Sequence, residues 1–345
     1  MVLMKKPAYY WMFLLTLACI AGLLAACGAA PAPQMAGTPV APAQQSLTTT
    51  DTPLPATITT PVVTTSVVST VAPALTDTPE PSPTQAPLRF AVIGDYGEGN
   101  QAEQDVADLV KSWNPELIIT VGDNNYPSGA ADTIDDRVGR FYSEFIHPYI
   151  GAFGSGAGQN RFFPTLGNHD WDTASAQAYF DYFSLPGNER YYDFVWGPVH
   201  FFAIDSDSRE PDGVARISPQ AQWLQERLAA STSPWKIVYF HHPPYSSGYH
   251  GPVDWMIWPF AEWGASAVLS GHDHTYERLL VGGIPYFING VGGGPIYYFI
   301  QIDPRSQRRY NDDYGAMLVT AEGEKLTFQF ITRHGEMIDE YSITR

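Results

Sequence analysis

Apolar positions along this chain change character near residue 88. Beyond that point, short apolar runs at 88–93, 117–121, 162–166, 200–204, 236–240, 267–270 and 286–288 are too short for helices and read as buried strands. Helical patterns lie between them. One covers 101–113. Another follows Ser218-Pro219, where the serine caps, the proline takes the first helical position, and Ala221, Leu224 and Leu228 recur along one face. Alternation of strand and helix predicts an α/β domain. The last three runs, 316–320, 325–332 and 337–343, are separated by Glu322-Gly323-Glu324 and His334-Gly335-Glu336 and predict an antiparallel meander, which makes the sheet system mixed.

Before residue 88 the pattern is different. Lys5-Lys6 precede an apolar stretch, 12–26, that ends in Leu24-Ala25-Ala26-Cys27, and this predicts a secretory leader over residues 1–26. The stretch, about 15 residues, is shorter than the ~20 of a spanning helix. The small residues before Cys27 are similar to the lipobox of bacterial lipoproteins. That resemblance implies that Cys27 becomes the lipidated first residue of the mature chain, anchored to a bacterial membrane on its extracytoplasmic side. Residues 28–87 then hold 12 Pro and 14 Thr, with three charges and no aromatic ring, too little apolar surface to fold, so 27–87 reads as a disordered tether. The expected organisation is leader 1–26, tether 27–87 and a folded domain over 88–345.

Cys19 and Cys27 are the only cysteines, so cleavage before Cys27 leaves no intrachain disulfide. A secreted domain of this kind relies on core size and bound metal for its stability. Nineteen basic and 36 acidic residues give a net charge of −17, and loss of Lys5 and Lys6 with the leader takes it to −19. Nucleic acid is excluded as a partner, because its phosphates need a basic surface. Anionic substrates must be attracted by the site itself.

Five segments carry the candidate chemistry: Gly94-Asp95-Tyr96-Gly97, Gly122-Asp123-Asn124-Asn125-Tyr126, Gly167-Asn168-His169-Asp170, Val238-Tyr239-Phe240-His241 and Gly271-His272-Asp273-His274. They supply carboxylates, a phenol, an amide and imidazoles, the donors that iron, manganese and zinc accept. Each lies at the end of an apolar strand, where ligands collect in α/β sheets. Four open on glycine, as expected where the chain turns sharply and brings its backbone close to an ion.

These segments resemble the purple acid phosphatases, members of the calcineurin-like metallophosphoesterases, whose pattern reads GDxG, GDxxY, GNH, VxxH and GHxH. All five occur here in order, the resemblance extends over 88–345, and it includes Tyr276-Glu277-Arg278 after the last motif. It implies a four-layer αββα sandwich with two mixed sheets. It further implies an acid phosphatase that hydrolyses small phosphomonoesters with a metal-bound hydroxide, without a serine or cysteine nucleophile. Metal 1 would be held by Asp95, Asp123, Tyr126 and His274, and metal 2 by Asp123, Asn168, His241 and His272, with Asp123 shared. The VxxH spacing selects His241 over His242.

A phenol ligates as phenolate only beside a strong Lewis acid. Tyr126 therefore suits Fe(III) at metal 1, while metal 2 takes divalent Fe, Zn or Mn. His169 is similar to the family's phosphate-contacting histidine, with Asp170 as its expected orienting partner. His250 falls where plant members carry a histidine pair on a substrate loop, of which one remains here. The proton donor to the leaving group is thus His169 or His250. Two other readings stand beside this one: a phosphodiesterase or nucleotidase with two divalent ions, and a non-catalytic surface lipoprotein. The aromatic residues Trp171, Tyr191, Tyr192, Trp255, Trp258 and Trp263 are candidates for core or for a substrate rim.

Overall fold

A computed structural model describes residues 87–345; the expected leader, Cys27 and the tether up to residue 86 lie outside the described residues. Along the chain the strands are β1 (Leu88–Ile93), β2 (Leu117–Thr120), β3 (Phe162–Pro164), β4 (Tyr192–Trp196), β5 (Val199–Ala203), β6 (Trp235–Tyr239) and β7 (Ala267–Ser270). They continue as β8 (Tyr276–Val281), β9 (Ile284–Asn289), β10 (Ser306–Tyr310), β11 (Gly315–Glu322), β12 (Lys325–Thr332) and β13 (Met337–Thr344). One sheet runs β13-β12-β11-β1-β2-β3 and the other β10-β8-β9-β7-β6-β5-β4. In the first, β1, β2 and β3 are parallel, and the meander β11–β13 joins antiparallel through β11 on β1, with Val92 opposite Met317. In the second, β5, β6, β7 and β9 are parallel, with antiparallel β4 on one side and β8 and β10 on the other.

The central strands are apolar on both faces because both faces are covered. Phe90, Val92 and Ile119 of the first sheet meet Phe201, Tyr239 and Phe287 of the second. The Phe90 and Phe201 rings pack edge to face, with centroids 5.0 Å apart. Ala91, Ile93 and Ile118 point the other way, beneath Val106, Ala107 and Val110 of helix Gln101–Ser112. Phe202, Val238 and Val268 likewise lie under Leu224 and Leu228 of helix Pro219–Ala230. The layers are therefore helix, sheet, sheet, helix. Each helix has a side-chain cap: Asn100 Oδ1 accepts the Glu103 N–H at 2.9 Å, and Ser218 Oγ accepts the Ala221 N–H at 3.2 Å.

Three strands, β4, β8 and β10, fall outside the apolar runs predicted from the sequence. β4 and β10 are the outer edges of the second sheet; β10 is polar and exposed, as edge strands commonly are, whereas β4 is mostly apolar, with Tyr192 buried and Phe194 stacked on Phe163 and Phe201. In β8, Glu277 interrupts the apolar pattern, yet it is fully buried. Parallel strands β1, β2, β3, β6 and β7 all end within three residues of a candidate segment, so the facing ends of the two sheets carry all five.

Candidate metal centre

Both oxygens of Asp123 are engaged. Oδ1 accepts the His169 N–H at 2.9 Å, while Oδ2 lies 3.0 Å from Tyr126 Oη and 3.3 Å from His241 Nε2. On one side, Tyr126 Oη is 3.1 Å from His274 Nε2 and 3.5 Å from Asp95 Oδ1, and His274 Nε2 is 3.3 Å from the same Asp95 oxygen. On the other, His241 Nε2 is 3.1 Å from Asn168 Oδ1 and 3.2 Å from His272 Nδ1. Seven side chains thus converge in two groups that share Asp123. Asp95, Asp123, Tyr126, His241 and His274 are buried, and Asn168 and His272 are partly so.

The backbone adopts a rare conformation to achieve this. Asp95, Asp123 and His272 sit in the left-handed region, at φ of 53°, 53° and 69°. Such strain in residues other than glycine persists where the surrounding structure holds it, and it concentrates at functional sites. Gly122, at φ of 89°, serves two needs: a Cβ there would be strained and would lie 2.6 Å from His241 Nδ1.

Imidazole orientation is set from behind. His241 Nδ1 lies 2.9 Å from Val121 O and His274 Nδ1 lies 2.7 Å from Pro295 O, so N–H donation to a carbonyl turns each Nε2 lone pair into the cluster. Burial alone would raise the Asp123 carboxyl and lower the His241 imidazole. Their mutual charge reverses both, so Asp123 is held down and His241 up. Burial, and then the charges of Asp123 and Asp95, push the Tyr126 phenol well above its ordinary value. His272 moves the opposite way, lowered by burial and then by the charges of His241 and His242.

Three ring nitrogens, two carboxylates and a phenol facing one another need protons or cations between them. Ligand atoms of Asp95, Asp123 and His241 lie within 4.8 Å of one another, so the donor set fits a pair of cations. A second group within that distance is His241, His242 and His272. It lacks a carboxylate, and His242 Nδ1 is occupied 2.9 Å from Ser206 Oγ, so the acidic group is the better cation site.

Among the residues expected to act beside the metals, Asp170 plays a different part. It does not orient His169. Its buried carboxylate accepts N–H bonds from Gly167 at 2.9 Å, from the Asn124 backbone at 3.1 Å and from Asn124 Nδ2 at 2.8 Å, fastening the Gly122 and Gly167 turns together. His169 is faced instead by Asp172, 3.8 Å from Nδ1, and that Nδ1 is 2.6 Å from Pro127 O. His169 Nε2 is left 4.0 Å from Asp123 Oδ2. His250 is exposed at the rim, its ring stacked on that of His272 at 4.4 Å.

Asn124 and Asp273, both inside the motifs, carry structural roles that the donor pattern of the sequence does not mark. Asn124 Oδ1 accepts Thr120 Oγ1–H at 2.6 Å and Tyr96 Oη–H at 3.0 Å, and Asp273 Oδ1 accepts the His250 N–H at 2.7 Å. A polar residue inside a motif at a strand end was the available signal. Of the aromatic rim candidates, Trp171, Tyr192 and Trp258 are core.

The model of the calcineurin-like phosphoesterase family matches residues 88–276. Tartrate-resistant acid phosphatase type 5 of Mus musculus is 29% identical over 282 residues, covering 70% of this chain and 81% of the relative. Purple acid phosphatase 3 of Arabidopsis thaliana is 23% identical over 309 residues, covering 77% and 80%. Among solved structures, a purple acid phosphatase from yellow lupin seeds superposes with a TM-score of 0.59 at 17% identity, over 75% of this chain and 54% of that one. GAP50, the anchor in the inner membrane complex of Plasmodium, superposes with the same TM-score of 0.59 at 18% identity, over 75% and 89%. At these identities the solved structures share the fold.

Gly122→Ala tests the backbone argument. The added methyl displaces His241, and the purified variant should bind roughly one metal ion fewer than the unaltered protein by elemental analysis. Equal metal content in the two proteins would contradict it.

Proposed function

The chain belongs to the calcineurin-like phosphoesterase family, and from that premise we propose that it is a dinuclear-metal acid phosphatase acting on small phosphomonoesters. The observation that carries this is the shared Asp123 carboxylate, faced by Tyr126 on one side and His241 on the other. Asp95, Asp123, Tyr126 and His274 would hold Fe(III), and Asp123, Asn168, His241 and His272 a divalent Fe, Zn or Mn ion. When bound, such a pair supplies Lewis acidity toward phosphate oxygens and lowers the pKa of water.

The chain's own residues do the rest. Asn124 and Asp170 lock two of the turns that carry the donors. His169, with Nδ1 against the Pro127 carbonyl, offers Nε2 to a phosphate oxygen or to the leaving group. His250, on the rim beside His272, is the second group within reach to hand a proton to a departing alkoxide. Burial lowers the His250 imidazole below its ordinary value, so acidic pH is needed for it to hold that proton.

We also infer that the enzyme works outside the cytoplasm, held to a bacterial membrane by lipid on Cys27. The apolar leader, the small residues before Cys27 and the Pro/Thr-rich stretch after it support this reading.

Three measurements test these statements. Asp123→Ala should lower hydrolysis of p-nitrophenyl phosphate by roughly a thousandfold or more, since it removes a donor from both groups; turnover near that of the unaltered protein sinks the phosphatase reading. Tyr126→Phe, loaded with iron and zinc, should lose the visible phenolate-to-iron absorption, and a retained band would remove Tyr126 from the ferric site. Cys27→Ser should move the protein from the membrane to the soluble fraction after cell lysis, and unchanged membrane recovery argues against the lipid anchor.

A further inference from the structure

We propose that Tyr249 and Tyr298 form an aromatic wall at the mouth of the site, which selects phosphomonoesters whose alcohol carries a flat aromatic ring; this rests on the phosphatase reading above. Tyr249 is 49% exposed and Tyr298 61%, and the two rings lie side by side, a contiguous exposed apolar patch instead of scattered single residues. They are joined to both halves of the site by ring contacts. From one half, His250 stacks on His272 at 4.4 Å, and Tyr249 meets His250 edge-on at 5.3 Å. From the other, Tyr297 lies flat on His274 at 4.2 Å with an interplanar angle of 5°, and Tyr249 is 5.5 Å from Tyr297. Tyr249 and Tyr298 then face each other at 5.5 Å and 71°. The rings therefore run unbroken from the cation-binding groups to solvent.

The wall is preorganised. Ser247 O accepts the Ile300 N–H at 2.9 Å, and Ser247 Oγ accepts the Asp303 N–H at 2.9 Å. Ser247 is itself fixed to the buried Glu277 carboxylate, through its N–H at 2.8 Å and its hydroxyl at 2.5 Å. The two loops that carry the tyrosines are thus one frame, and a ligand ring does not have to order them on binding. Aromatic faces and edges of this kind accept another ring in offset or edge-on packing.

Charge narrows the ligand further. Neither 244–251 nor 295–303 contains a lysine or arginine, and the chain carries a net charge of −17. Arg305, just beyond these segments, lies over the Tyr245 ring and is paired with Asp303 at 2.5 Å, so a second phosphate or a carboxylate on the substrate would meet neither a lysine nor an arginine of these loops. The preferred substrate is a monoester of an uncharged aromatic alcohol, its phosphate on the metal pair and its ring on Tyr249 and Tyr298.

Benzyl and ethyl phosphate test this, because both release an alkoxide and differ in the ring. On the metal-loaded full-length protein, kcat/KM should favour benzyl phosphate by about tenfold. The double variant Tyr249→Ala with Tyr298→Ala should lower that ratio to about two, whereas Tyr249→Phe should keep it, since the ring and not the hydroxyl makes the contact. Both truncations are at exposed positions, so the fold is retained. A ratio near one in the unaltered protein, or one that survives in the double variant, overturns the wall while ethyl phosphate turnover leaves the phosphatase reading intact. Should neither ester turn over, the phosphatase reading falls and calorimetry with benzylphosphonate and ethylphosphonate decides the wall. Ring-dependent binding about tenfold tighter, lost in the double variant, would uphold it, and equal or absent binding would reject it.

Discussion

One buried carboxylate, that of Asp123, is asked to face two groups of donors at once. Removing a carboxylate from water is costly, and here it is removed together with Asp95. Without cations the cluster can only share protons among its imidazoles and its phenol: the mutual charge of Asp123 and His241 moves them in opposite directions, while burial, and then the charges of Asp123 and Asp95, drives the Tyr126 phenol up. Cations between the donors would replace those protons and neutralise the charge. Binding metal and stabilising this end of the sandwich are then the same event.

The fold makes that crowding possible. Two sheets packed face to face bring the ends of β1, β2 and β3 opposite those of β6 and β7, and each end delivers its donors directly from a rigid strand. The strain in Asp95, Asp123 and His272 is held by contacts around them. Asp95 donates its N–H to Gly122 O at 3.1 Å, while its carboxylate accepts the His272 N–H at 3.0 Å. A donor turn in one sheet thus braces a donor turn in the other.

The same device recurs farther out. Asp170 joins two turns of the first sheet, Asp273 holds the backbone of His250, and Glu277 anchors the loop ahead of Tyr249. All three are buried carboxylates that accept backbone N–H bonds, and each fixes a segment that would otherwise move. The rigid interior and the shape of the mouth therefore come from one kind of interaction. An acidic surface discourages ligands carrying several negative charges, and the rings at the mouth offer apolar contact to the part of the substrate that is not phosphate.

Sequence alone determined which chemistry is present and roughly where. Apolar runs too short for helices marked the central strands, because strands buried on both faces carry an unmistakable pattern, and the donor types after them pointed to a two-metal site. Edge strand β10 carries no apolar signature, since an edge is stabilised by a neighbour's backbone, and β4, though rich in aromatic residues, is interrupted by Asp193. Tertiary structure decided how the donors divide around Asp123, because that depends on two sheets meeting. It also decided that Asp170 fastens turns instead of orienting His169, and that Trp171 and Trp258 are core while Trp255 stays exposed beside His242. A side chain's type is written in the chain, but its partners are set by residues tens to hundreds of positions away.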